Sequence, residues 1–349
     1  MRMLVLALAT VAAIFAAIVL LLLLGGYDIP SALVALWTGS VGTWYAFTSA
    51  TLVRAVPLML TGCAVAVAFR AGVFNIGAEG QLLAGGAGAA AIALAFPGAG
   101  TAALVIALGA GAAAGAGWAA IAAFLRGRFG VLEVISTIML NFIALYAVSY
   151  LVRGPLQEPT HAYPQSSSIA EGVRLARLPG AGRLHVGIII ALAITLAVGW
   201  WLRHTAAGFR LIVVGESPSA ATSAGLVDVR RTSTLAFVSS GALAGLAGAI
   251  EVLGVTYALY EDLSPGYGYT AIAVALLAAL DPWRVVLTSF LFAALEAGAG
   301  AMQRDANVPS TLVAVIEALL ILAVVAAQAI RRRRAMAPTP DTLEVEVTT

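Results

Sequence analysis

The chain has 349 residues, 61% of them hydrophobic and only 10% charged, a balance that excludes a soluble globular domain and selects a polytopic membrane protein. All 19 basic residues are arginine. Without lysine there is no P-loop site, no Schiff base and no kinase-type phosphate lysine, so any ATP used for transport is hydrolysed by another subunit.

Residues 3–24 are an apolar run behind Arg2. The run is long for a signal-peptide core, and Gly25-Gly-Tyr-Asp-Ile-Pro30 makes a poor cleavage site, so an uncleaved first transmembrane helix is expected. Residues 31–52 read as amphipathic and interfacial, with Trp37, Trp44 and Tyr45 suited to the headgroup level. Further apolar segments run near 55–69, 81–96, 101–125, 132–152, 184–202, 233–256, 269–280, 285–303 and 311–330, which predicts about ten membrane helices in an all-α fold. Alternation from a cytoplasmic N-terminus puts thirteen arginines inside, among them Arg70, Arg126, Arg203, Arg230 and Arg331 to Arg334, and six outside. That bias predicts N-in and C-in. The lone cysteine, Cys63, sits in an apolar run and reads as a small buried hydrophobe.

The run is broken first at residues 70–80, where Arg70, Asn75 and Glu79 stand between apolar segments. A charged side chain at mid-bilayer costs roughly 2.5–3.5 kcal/mol on insertion scales while each Leu or Ile returns only about 0.5, so these groups need burial inside protein or a polar turn at the surface. Asn75 is a candidate N-cap for a helix starting near Ile76, and Glu79 a candidate partner for Arg70. A second interruption, residues 257–269, precedes the short segment 269–280. The two halves, 55–152 and 233–330, then read as an inverted-topology pair, whose broken segments mark a ligand site near the midplane. A plain outer turn at Ser264-Pro265-Gly266 is the alternative.

Residues 153–183, with Pro155, Pro159, Pro164 and Pro179, form a polar external loop. The loop 203–232 holds a short helix with both ends specified: Ser217 as N-cap, Pro218 at the first position and Gly225 just past the end. Ala220, Ala221 and Ala224 give it a smooth ridge for a groove on another protein, with Glu216 and Asp228 flanking. An interfacial helix against its own bundle is the other reading. The tail from residue 335 to 349, with Pro338 and Pro340, is expected to be a disordered cytoplasmic extension of a permease domain spanning 1–334.

Four motifs carry a resemblance: Phe69-Arg-Ala-Gly-Val-Phe-Asn-Ile-Gly-Ala-Glu-Gly-Gln81, Glu133-Val-Ile-Ser-Thr-Ile-Met-Leu-Asn141, Gly154-Pro-Leu-Gln-Glu-Pro159 with Pro164-Gln-Ser166, and Gly266-Tyr-Gly-Tyr-Thr-Ala-Ile-Ala-Val-Ala-Leu-Leu277. In this order, across residues 50 to 330, they resemble the permease subunits of nucleoside and simple-sugar ABC importers, within the branched-chain amino acid and ribose permease group. The resemblance implies a bacterial cytoplasmic-membrane half-channel with a second, homologous permease, two cytoplasmic ATPase subunits and an external substrate-binding lipoprotein. It implies no cofactor on this chain, ATP and Mg²⁺ belonging to the ATPases, and no nucleic-acid partner. Val214-Gly-Glu-Ser-Pro-Ser-Ala-Ala-Thr-Ser-Ala-Gly-Leu226 resembles the family's ATPase-coupling helix. Leu132 and Thr222-Ser223 depart from the expected Asn and Arg-Tyr-like pair.

A neutral nucleoside, with purine nucleosides first, needs a few hydrogen-bond partners and a flat stacking face. Asn75, Glu79, Gln81, Asn141 and Tyr269 are candidates for the former, and Phe74 and Tyr267 for the latter. Coupling residues are Glu216, Ser217, Pro218, Ala220, Ala221, Ala224 and Gly225. Two other classes compete. An ion-coupled transporter would titrate Glu79, Glu133 or Glu296; an intramembrane enzyme would need more than His161, His185 and His204 at segment ends, with no HExxH and no second cysteine for a metal site.

Overall fold

The computed structural model describes residues 16, 19–223, 225, 227–309, 311, 312, 314, 315, 318 and 319. Most of the expected first helix 3–24 and last segment 311–330, the Arg331 to Arg334 run, the tail 335–349 and Ala224 lie outside the described residues.

In chain order come α1 (Ile29–Ser40), α2 (Trp44–Arg70), α3 (Ala78–Ala95), α4 (Gly100–Phe129), α5 (Glu133–Arg153), α6 (Gly187–His204), α7 (Ala206–Glu216), α8 (Pro218–Ser223), α9 (Val229–Thr256), α10 (Tyr267–Leu277) and α11 (Pro282–Asp305). Seven of them, α2 to α6, α9 and α11, are long and apolar enough to cross a membrane. The expected segment 269–280 is instead α10, an 11-residue helix that rises only about 16 Å at 1.5 Å per residue. The stretch 44–52 is not a separate interfacial segment: it is the start of α2, which passes through a π-helical turn at Phe47–Leu52 and carries Pro57 within its next turns. Trp37, Trp44 and Tyr45 are exposed, as their assignment to the headgroup level requires. Helix α7 has no counterpart among the expected elements; Thr205 ends α6 and starts α7, its hydroxyl accepting from Gly208 N (3.1 Å).

The chain divides into two compact units, residues 36–298 and residues 1–35 with 299–349. The core of the first is a three-helix contact of α3, α4 and α9. A Cβ added at Gly85, Gly115 or Gly248 would run into the backbone of Gly245, Gly241 or Leu82 respectively. Glycine at these positions therefore brings the backbones to van der Waals contact, which supplies the helix association that lipid cannot drive by a hydrophobic effect. Cys63 is buried and free in α2.

Loop 154–186 is ordered rather than merely polar. Antiparallel bridges pair Gln157 with Ser166, Gln165 with Tyr260 and Arg177 with His185. Its own Ile169, Val173, Leu175 and His185 are buried. The same loop takes up the backbone leaving α9, with Ser166 N donating to Leu259 O (2.9 Å), Ile169 N to Tyr257 O (2.8 Å) and Leu175 N to Leu253 O (2.9 Å).

Candidate functional site

The first interruption leaves α2 at Arg70 and runs without regular structure from Val73 to Ile76 before α3 begins at Ala78. The helix thus starts two residues later than Ile76, with Gly77 at its N-cap position. Asn75 acts one step earlier. Its Oδ1 accepts from Gly77 N (2.9 Å) and Gln81 Nε2 (3.0 Å), and its Nδ2 donates to Gln81 Oε1 (2.9 Å) and to Ser240 Oγ on α9 (2.9 Å). Both side-chain amides are buried. With its amide hydrogens and both oxygen lone pairs used, Asn75 has no group left for a ligand. Gln81, likewise expected to offer polar groups to solute, is bonded to Asn75 inside the buried break, and the pair satisfies the Gly77 N–H that the break leaves free.

Glu79 does not pair with Arg70. Arg70 Nε donates to Leu280 O (2.7 Å), while the Glu79 carboxylate accepts from Gly268 N (2.7 Å) at the first turn of α10. Two helix N-termini therefore face each other, and the carboxylate of one satisfies a free N–H of the other. A Cβ on Gly268 would strike the Glu79 backbone. Ser264 completes this end, its hydroxyl accepting from Gly266 N (3.1 Å) and Tyr267 N (3.1 Å), so Ser264-Pro265-Gly266 is the cap of a broken helix rather than a plain outer turn.

Asn141 on α5 fastens the junction from a third side. Its Oδ1 accepts from Gly80 N (2.9 Å), and its Nδ2 donates to Ile76 O (3.0 Å) and the Tyr269 hydroxyl (3.3 Å). Of the seven expected pathway residues, Asn75, Glu79, Gln81, Asn141 and Tyr267 are buried, whereas Phe74 and Tyr269 are 54% and 45% exposed. Tyr267 thus presents no open stacking face. Phe74 does, its ring braced edge-on by Phe69 at 5.2 Å. Phe142, Tyr146 and Tyr150, also exposed, follow at four-residue spacing along one face of α5. Sequence reasoning missed these three because their residue types fit a lipid-facing helix equally well. It also missed Ser240 and the buried Glu251 on α9, the latter within electrostatic reach of Arg54 and Arg183; an acid inside an apolar run was the available signal. Glu133 is paired with Arg126 (3.4 Å).

At the far end of the break, α8 is specified as its sequence predicts. Ser217 Oγ accepts from Ala220 N (3.3 Å), and Gly225 closes the turn at φ +64 with its N–H on Thr222 O (3.0 Å). Ala221, however, is buried within this chain, so the exposed surface is formed by Pro218, Ser219, Ala220, Thr222 and Ser223, with Glu216 beside them. Just before α8, Gly215 lies against Arg70 and Gly72: a Cβ there would hit Arg70 O, and a Cβ on Gly72 would stand 3.3 Å from Gly215 Cα. Helix α7 is thus in backbone contact with the entrance to the first interruption, and α8 follows directly from it.

Residues 47–325 match the family described as branched-chain amino acid transport system / permease component. The chain belongs to this family. The permease is 39% identical over 316 residues to the guanosine ABC transporter permease protein NupP of Bacillus subtilis, covering 89% of this chain and 90% of that one. It is 35% identical to the glucose ABC transporter permease protein TsgB13 of Haloferax volcanii (81% and 77% covered) and 30% identical to the nucleoside ABC transporter permease protein NupB of Lactococcus lactis (76% and 75%). With seven apolar spans among the described residues, it is a multi-pass plasma-membrane protein and a transport component.

Proposed function

We propose that the permease is half of the translocation pathway of an ATP-driven nucleoside importer, with purine nucleosides as the favoured solutes. The observation that carries this reading is the meeting of two helix N-termini, α3 and α10, at Glu79 and Gly268. The rise of α10 from the Arg70–Leu280 contact, about 16 Å, is half of a roughly 30 Å hydrocarbon slab, which supports a midplane position and two halves of inverted topology. Similarity to NupP and NupB supports nucleosides; similarity to TsgB13 keeps a sugar as the second reading.

In this mechanism the buried amides are scaffold, and solute meets Phe74, Tyr269 and the aromatic face of α5. An aromatic ring offers a nucleobase a stacking partner without a charge to desolvate. A homologous second permease, different from this chain, completes the channel, and an external binding protein delivers to the 154–186 loop. The ATPase seats on the exposed side of α8, with Glu216, Ser217 and Gly225 framing it. Its closure moves α7, and Gly215 passes that movement through the Arg70–Gly72 contact to the break. Arg70, Arg126, Arg203, Arg230 and Arg284 stand at this same end of the spans, in support of N-in and C-in with about ten helices in the full chain.

The deciding experiment is uptake of radiolabelled guanosine, adenosine, ribose and glucose by cells in which this transporter is the sole route. ATP-dependent, protonophore-resistant purine nucleoside uptake is the expected result. Uptake of glucose without guanosine would favour the sugar reading, and uptake that survives ATP depletion but stops with a protonophore would replace both by ion coupling through Glu79 or a neighbouring acid.

A further inference from the structure

A crevice of about 530 Å³ opens away from the Glu79–Gly268 junction, where α6 passes into α7 and α9 begins. Leu211 and Ala236, both buried in the apolar core, form its floor. Trp201 and Leu235 extend the apolar wall, and Arg210, Asp228 and Arg231 supply its charges. The level is that of a membrane surface: α6 ends here, and Trp200 and Phe209 stand exposed beside it.

The arginines of this end are mostly committed to the chain's own oxygens. Arg70 donates to Leu280 O (2.7 Å), Arg126 pairs with Glu133 (3.4 Å), Arg203 with Asp281, Arg230 with Gly127 O (2.6 Å) and Arg284 with Asp281 (3.5 Å). The guanidinium groups of Arg210 and Arg231 have no such oxygen among the described residues; of Arg231, the backbone N–H is engaged, by Asp228 Oδ1 (2.9 Å) as the cap of α9. Two guanidinium forks and one carboxylate leave one net positive charge over an apolar slot. Bidentate forks match a phosphate diester, and a slot with a tryptophan wall matches an acyl chain. A free phosphate would use only the first half of the site.

We propose that this crevice binds an anionic glycerophospholipid of the phosphatidylglycerol class, its phosphate on Arg210 and Arg231, a headgroup hydroxyl on Asp228 and an acyl chain against Trp201 and Leu235. The lipid bridges α7 to α9, and so bears on the helix that leads into α8.

The test is native mass spectrometry of the full chain extracted in its assembled complex, offered phosphatidylglycerol and phosphatidylcholine with identical acyl chains. The expected result is retention of one phosphatidylglycerol per copy with at least about tenfold preference, and near parity in the Arg210→Gln/Arg231→Gln double variant. Ala207→Trp, which keeps both arginines and fills the slot, should lower the retention of that lipid. Equal retention of the two lipids by the unaltered chain would overturn the proposal. So would a preference that neither variant changes, displacement of the lipid by millimolar inorganic phosphate, or its loss whenever another subunit is bound, since protein would then be the occupant.

Discussion

The two interruptions that meet at Glu79 and Gly268 are held together in different ways. The first, 71–77, closes mostly on itself: Asn75 and Gln81 supply each other, and Ser240 and Asn141 add one tie each from α9 and α5. The second, 257–266, closes on other parts of the chain. It starts at Tyr257 in the left-handed region (φ 56), takes its ladder bonds from loop 154–186, and ends at Gly266 (φ 102), capped by Ser264 and anchored to Glu79. A break satisfied by a buried amide knot resists opening, since opening orphans several buried groups at once. A break whose bonds lie in a loop can loosen with that loop. The second interruption is therefore the side that loosens when loop 154–186 is disturbed, whereas the first moves only as one rigid piece.

The sharpest test of this asymmetry is Asn75→Ala. It strands the Gln81 amide, Gly77 N–H and Ser240 hydroxyl in a buried site at about 1–3 kcal/mol for each group left unsatisfied. Several kcal/mol in total should appear as a large fall in melting temperature and poor accumulation in the membrane. Ser264→Ala on the other side removes a cap worth about 1 kcal/mol and should accumulate normally. Similar melting temperatures for the two variants would show that the breaks are equally rigid.

Acid separates the two regions next. His185 is buried under the C-terminal end of α9, its ring against Gly187 and Gly254, with Nδ1 accepting from Gly187 N (3.1 Å). Burial and then the neighbouring Arg183 push its pKa down from 6.5 to about 4. The neutral ring is thus favoured in the fold, whereas an unfolded chain takes up the proton below about 6.5. Stability supplied here is complete above pH 6.5 and is lost as pH falls toward 4, by roughly 3 kcal/mol at most. Melting curves between pH 7 and 4.5 should show this loss in the parent chain, and a smaller one in His185→Gln.

Gly268→Ala probes the junction the two breaks share. Its Cβ would meet the Glu79 backbone, and overpacking of this kind costs about 1–3 kcal/mol. Nucleoside uptake should fall much further than the amount of protein in the membrane, because the α10 end is displaced from Glu79. Unchanged uptake would remove the junction from the pathway.

The contrast also explains what could be read in advance. Apolar runs located every long span described, since membrane helices announce themselves by composition. Ser217, Pro218 and Gly225 specified α8 because capping is local chemistry. The roles of Asn75 and Gln81 were legible as polar groups needing burial, but not as partners of each other: the sequence holds no record of which face of α3 turns back toward the break. Ala221 looked like contact surface because small residues suit a partner's groove and a chain's own packing alike. Helix α7 was missed because 203–232 read as one loop between apolar runs, whereas packing of Leu211 and Val214 into the interior decides it.

The smallest expected effect lies just past α10. Ala279 and Leu280 both adopt positive φ, 53 and 59, a conformation that costs an L-residue roughly 1–2 kcal/mol and glycine almost nothing. The turn is held by Leu280 N on Ala275 O (2.8 Å) and by Arg70 Nε on Leu280 O (2.7 Å), so the strain sits where the second half grips the end of the first. Ala279→Gly should relieve about 1 kcal/mol and raise the melting temperature by a few degrees. It leaves both hydrogen bonds and the Glu79–Gly268 junction untouched, so uptake should stay at the parent level. Were uptake to drop while the melting temperature rose, the strain in this turn would itself be part of the transport cycle.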